Sequence, residues 1–147
     1  MSVLSVPLQL LGSEALPPVR AHKSDAAFDV YATQGCILQP LQRALVPCGF
    51  SLAIPDGYAG LLLPRSGLAL RNGISLVNSP GLIDAGYRGE IKAVLWNTDP
   101  LEPFEVNIGD RIAQLLIVKL PEVELVSADR LSCSDRGEQG FGSSGVS

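Results

Sequence analysis

Apolar runs of roughly four to eight residues, rich in Val, Ile and Leu, recur along the chain between turn signals, at about the 8 to 12 residue spacing of sandwiches and barrels. In residues 50–54 the order Phe-Ser-Leu-Ala-Ile puts Phe50, Leu52 and Ile54 on one face of a strand, and Pro55, Asp56 and Gly57 then supply a turn. Residues 58–63 resume as a strand. Residues 91–97 form another, between Gly89 and Thr98-Asp99-Pro100, and residues 111–119 follow the turn Asn107-Ile108-Gly109-Asp110 as a third. Only residues 66–71 invite a short helix. The pattern predicts an all-β chain.

From about Ser127 the alternation fades, and the tail reads Arg136-Gly137-Glu138-Gln139-Gly140-Phe141-Gly142-Ser143-Ser144-Gly145. It has almost nothing to bury. Two readings stand: a Gly/Ser terminus without structure, or a segment whose free backbone N–H groups surround an anion, with Arg136 adding charge and Phe141 a face for stacking. The expected organisation is a β-barrel over residues 1–126 with an arm over 127–147 that belongs to the same domain.

Composition narrows this picture. A chain of 147 residues fits one domain, and its 46% hydrophobic and 18% charged content excludes disorder over most of its length. The 15 Gly and 11 Pro are scattered, which rules out long helices. With 11 Lys and Arg against 15 Asp and Glu, the net charge of -4 argues against a nucleic-acid polymer as partner, since that needs a basic face. No apolar stretch approaches the roughly 18 residues of a membrane span, and no cationic leader precedes one, so a soluble, unprocessed protein is expected. Cys36, Cys48 and Cys133 are odd in number and lack CxxC spacing; they read as small buried hydrophobes in a reducing cytoplasm. The single histidine, His22, lies in a polar loop beside Lys23 and reads as a solvated loop residue; with no second histidine, His-based catalysis would rest on it alone.

What remains are five short polar or glycine-containing segments. In residues 25–32, Asp29 stands amid apolar neighbours, either as a turn residue or as a deliberate carboxylate. In residues 63–69 a strand gives way to a helical turn, where free N–H groups, the Ser66 hydroxyl and the Arg65 guanidinium suit a phosphate; simple capping by Ser66 explains the same residues. In residues 78–90 a hairpin is expected, with Asp84 placed to deprotonate water and Tyr87 to stack on a sugar; the alternative is a surface turn with an Arg88–Glu90 ion pair. In residues 109–116, Gln114 interrupts an apolar strand and must find partners. The glycine-rich tail is the fifth.

In order and content these segments resemble the motifs of the homotrimeric deoxyuridine triphosphatases, from about Asp25 to Gly145. Residues 81–90 and 136–145 carry the most specific part. The resemblance implies a jelly-roll-like distorted β-barrel, three identical subunits with active sites at their interfaces, and hydrolysis of dUTP to dUMP and pyrophosphate. It implies Asp84 as the base for the attacking water and Tyr87 as the residue under the deoxyribose. Asn78 and the backbone from Gly81 through Leu82 and Ile83 to Tyr87 would read uracil, with Lys92 also among the substrate-binding residues. Arg65, Ser66, Gly67 and Gln114 map onto phosphate contacts. Asp29 maps onto the acidic residue near Mg2+, through a bound water, the ion being held mainly by the triphosphate. Arg136, Phe141, Gly142 and Ser143 would form a lid, Phe141 over the base and Arg136 and Ser143 on the phosphates. Two departures from the family pattern are Ala27 and Gln139, each where glycine is usual; a left-handed backbone at Gln139 would cost on the order of 1 kcal/mol. Two other functions fit parts of the pattern: dCTP deamination on the related fold, which usually lacks such a lid, and a nucleotide-regulated module that binds a protein partner.

Overall fold

The computed structural model describes residues 3–146. The expected barrel (1–126) and arm (127–147) take in Met1, Ser2 and Ser147, which lie outside the described residues. In chain order the elements are β1 (Leu8–Leu10), β2 (Phe28–Tyr31), β3 (Cys36–Leu38), β4 (Arg43–Pro47), β5 (Phe50–Leu52), β6 (Tyr58–Leu63), α1 (Ser66–Asn72), β7 (Ile74–Leu76), β8 (Gly81–Ile83), β9 (Lys92–Asn97), β10 (Phe104–Val106) and β11 (Arg111–Lys119). They form a jelly-roll-like fold of antiparallel sheets, ordered β2-β11-β6-β8, β4-β9-β7, β1-β5 and β3-β10.

Period-two alternation builds the core. Phe50, Leu52 and Ile54 are all buried, as are Ala93, Leu95 and Asn97 on β9, while Lys92 and Trp96 on the same strand face outward. Asn97 is the buried polar side chain of this core, and its amide is fully used: Nδ2 donates to the Leu38 and Glu102 carbonyls at 3.0 and 2.8 Å, and Oδ1 accepts the Asp99 N–H at 3.0 Å. It ties β9 to β3 and to the following loop. The short helix ends where Gly73 adopts a left-handed conformation (φ 65°) and its N–H bonds to the Ala69 carbonyl.

The hairpin expected over residues 78–90 is absent as a paired ladder. β8 pairs with β6, whereas β9 pairs with β4 and β7 in the other sheet, so the segment is a turn that carries the chain from one sheet to the next. The Tyr87 N–H closes that turn on the Asp84 carbonyl at 3.1 Å.

Leu41 holds a left-handed backbone (φ 64°) in a turn that follows Pro40 and is closed by the Gln42 N–H on the Gln39 carbonyl; its side chain is exposed. Asn tolerates that conformation better than Leu. Leu41→Asn is therefore expected to stabilise the chain by about 0.5–1 kcal/mol, a rise of roughly 2 °C in melting temperature. A thermal melt that moves down instead would show that the leucine side chain contributes more than its backbone costs.

The thiols divide. Cys48 is buried, and burial pushes its pKa up to about 12; Cys36 is partly buried and raised by the same cause. Cys133 is exposed, against the expectation, because it lies beyond the last strand where no core is within reach. A disulfide reagent at pH 8 is expected to label Cys133 quickly, Cys36 slowly and Cys48 only on unfolding. Rapid labelling of two thiols would contradict this order.

The arm contains neither helix nor strand among its described residues, and nearly all of it is exposed. Its left-handed positions are Gly137, Phe141, Gly142 and Gly145. Gln139 is not among them, so the strain expected there falls instead on Phe141 (φ 49°).

Candidate active site

A cleft of about 360 Å³ opens where β8 passes into its turn, lined by Asn78, Gly81, Leu82, Ile83, Asp84, Tyr87 and Lys92, with Leu45, Leu62, Glu90 and Ile91. Gly81 is buried and pairs with Leu62 on β6; a Cβ there would press on Leu62 Cβ at 3.3 Å and reach Asn78 Nδ2 at 3.5 Å. Glycine thus lets backbone, with its directional N–H and C=O groups, form the cleft wall. Asp84 stands exposed at the end of β8. Tyr87 Oη donates to the Glu90 carbonyl at 3.0 Å, which fixes the ring over the same cleft. Arg88 does not pair with Glu90. Its Nη1 staples the turn from within, donating to the Ala85 and Tyr87 carbonyls at 2.6 and 3.1 Å, and Glu90 faces Lys92 Nζ at 3.8 Å.

A second cleft of about 240 Å³ gathers Asp29, Arg65, Ser66, Gly67 and Gln114, together with Ala21, Asp25 and Arg111. The sheet register explains the convergence: Asp29 on β2 pairs with Gln114 on β11, and Gln114 pairs with Leu63 on β6, two residues before Arg65. Gln114 finds its partner in the Pro64 carbonyl, to which Nε2 donates at 2.8 Å. Arg65, not Ser66, occupies the N-cap of α1, and no side chain caps the helix, which leaves the exposed Ser66 hydroxyl facing the cleft. Asp29 is far from a solvated turn residue. Arg65 Nε donates to its Oδ1 at 3.1 Å, and Arg111 Nη1 lies 3.6 Å from its Oδ2.

Arg111, three residues before Gln114, also lines this cleft and is not among the residues that the sequence marks out. The available signal was its place at the junction of a glycine turn and a strand. His22 is the exposed loop residue expected, its ring 3.4 Å from Asp25. Arg136, Phe141, Gly142 and Ser143 are on the arm and line neither cleft in this chain. The two clefts share no residue.

No group of three or more His, Cys, Asp or Glu among the described residues is arranged to hold a metal ion. Both Asp29 oxygens face guanidinium groups. This donor set suits Mg2+ only in the manner of phosphate sites, where one or two carboxylates assist and the substrate's phosphates supply most ligands.

The family model described as dUTPase matches residues 14–145. The deoxyuridine 5'-triphosphate nucleotidohydrolase of Mycolicibacterium vanbaalenii is 57% identical over 133 residues, covering 87% of this chain and 86% of that protein. The dUTPase of Staphylococcus bacteriophage 80alpha, solved with dUPNHPP, superposes with a TM-score of 0.90 at 32% identity, covering 98% of this chain and all of that one. A mutant dUTPase from phage phi11 of S. aureus, described with a structural Mg(II) ion, gives a TM-score of 0.81 at 27% identity, covering 86% of this chain and 98% of that one.

Proposed function

The chain belongs to the dUTPase family and is a dUTP diphosphatase, and from that premise we propose that Asp84 activates the water that attacks the α-phosphorus of dUTP. The proton of the water passes to the Asp84 carboxylate, the water oxygen bonds to phosphorus, and the bond to the β-phosphate bridge breaks to release pyrophosphate. The observation that carries this reading is the placement of Asp84 one tight turn from Tyr87, on the rim of a cleft whose wall is the β8 backbone. Tyr87 supports the deoxyribose, where a 2′-hydroxyl would collide. Asn78 and the backbone from Gly81 through Leu82 and Ile83 to Tyr87 read uracil in a space too tight for a 5-methyl group, and Lys92 also belongs to the substrate-binding residues. Cytosine reverses one donor and acceptor and leaves a polar group unpaired.

Arg65, Ser66, Gly67 and Gln114 hold the phosphates, and Asp29 is the carboxylate near Mg2+, through a bound water. When bound, the ion neutralises charge across the triphosphate. The arm from residue 127 onward closes as a lid that includes Gly142, bringing Phe141 to the base and Arg136 and Ser143 to the phosphates.

The outer face of the three-stranded sheet supports a homotrimer. Leu45, Val77 and Trp96 are exposed there, and Leu45 also lines the base cleft, so a subunit seated on this face would border the site. The separate base and phosphate clefts fit active sites completed between subunits. No described helix is long and apolar enough to cross a membrane, and the unpaired thiols fit a reducing cytoplasm, where the product dUMP feeds thymidylate synthesis and uracil is kept out of DNA.

The test is a nucleotide panel with and without Mg2+, read as pyrophosphate release. Turnover of dUTP is expected to exceed that of dTTP, UTP and dCTP by about 100-fold or more, the first two rejected by the 5-methyl and 2′-hydroxyl clashes and the third by the unpaired polar group. Equal turnover of all four overturns the proposal, and ammonia released from dCTP would turn the reading to deamination.

A further inference from the structure

Arg111 lines the phosphate cleft, and the backbone is built to put it there. The pairing of β2 with β11 slips between Arg111 and Ala113: Arg111 sits opposite Tyr31 and Ala113 opposite Val30, so β11 carries one extra residue. Ile112 and Ala113 consequently both point into the core, at 2% and 0% exposure. Residues three apart on a regular strand face opposite sides; this bulge brings Arg111 and Gln114 onto the same face, toward Asp29.

Asp29 therefore meets two guanidinium groups with one carboxylate. Arg65 takes Oδ1, Arg111 approaches Oδ2, and Arg65 Nη1 donates to the Arg111 carbonyl at 3.2 Å. Only 16% of the Asp29 side chain is exposed, so it needs a cation whatever Arg65 does. The Arg111 side chain is about half exposed and held by the longer of the two contacts.

We propose that Arg111 is a positioning residue for the phosphate cleft: its guanidinium keeps Asp29 compensated when Arg65 turns toward the triphosphate, and its bulged carbonyl aims Arg65. This rests on the dUTP reading of the cleft. Without Arg111, Asp29 would hold Arg65 as its remaining partner and the anion would compete for it less well.

The experiment is a double-mutant cycle of Arg111→Gln and Asp29→Asn, with thermal melts to verify folding. It is read two ways, as KM and kcat for dUTP and as the Kd of inorganic tripolyphosphate by calorimetry. Arg111→Gln is expected to raise KM and the tripolyphosphate Kd about tenfold, with a much smaller change in kcat. In the Asp29→Asn background the same substitution is expected to add less than about twofold. Arg111→Lys should recover only part of the loss, because an ammonium lacks the planar fork. An increment of equal size in both backgrounds, or an Arg111→Gln variant with unchanged KM and Kd, overturns the proposal. Should the unaltered protein fail to hydrolyse dUTP, the functional reading fails by itself, and coupling in tripolyphosphate binding still decides the role of Arg111.

Discussion

Asp84→Asn is expected to lower kcat for dUTP by about 10³ to 10⁴-fold while leaving the affinity for a non-hydrolysable dUTP analogue within a few-fold. That loss corresponds to about 4–5 kcal/mol of transition-state stabilisation. Asn matches Asp in shape and hydrogen-bonds similarly, but it cannot accept the proton that attack by water must release. The surrounding turn does not depend on the carboxylate. Tyr87 is held by the Glu90 carbonyl, Arg88 by those of Ala85 and Tyr87, and β8 by its pairing with β6. Single-turnover kinetics beside analogue titration separate the chemical step from binding. A variant that turns over at near-normal rate would remove Asp84 from the role of base.

Those elements whose signal is local were legible in the sequence. The alternation of Phe50, Leu52 and Ile54 described a buried face, and the strands at residues 58–63 and 111–119 have the bounds read from it. Helix α1 extends one residue beyond its expected end because Gly73 supplies the left-handed cap. Pairing partners are a different matter. Nothing local says that β8 belongs with β6 while β9 belongs with β4 and β7, and so the turn around Asp84 read as a hairpin. Asn97 looked like a strand end running into a turn; only the approach of Leu38, distant in sequence, makes it a buried anchor. The phosphate cleft shows both limits at once. Arg65, Ser66, Gly67, Gln114 and Asp29 stand out through their local segments and the family resemblance, and they do converge. Arg111 was missed because a bulge shifts which side chains share a face without altering the apolar pattern that reports the strand.

Deleting residues 134–147 is expected to leave the melting temperature within about 2 °C and to lower kcat/KM for dUTP by about 10²-fold or more. The two halves of this expectation have one cause. Nearly all of the segment's described residues are exposed, and their hydrogen bonds, such as Arg136 Nε to the Gln139 carbonyl at 2.8 Å, stay within the segment, so removing it uncovers no core. Its contributions arise only with substrate present. A charged hydrogen bond from Arg136 is worth about 1.5–3 kcal/mol and base stacking by Phe141 about 1–3 kcal/mol. Ordering the arm offsets part of that sum, and a net of about 3 kcal/mol gives the stated factor. Phe141 sharpens the test, since it carries a left-handed backbone that glycine would adopt more cheaply. If the arm acted through its backbone alone, Phe141→Gly would preserve or improve activity. Stacking predicts the opposite order: Phe141→Tyr stays near the unaltered rate and Phe141→Gly falls about tenfold, in line with the loss of one stacked ring.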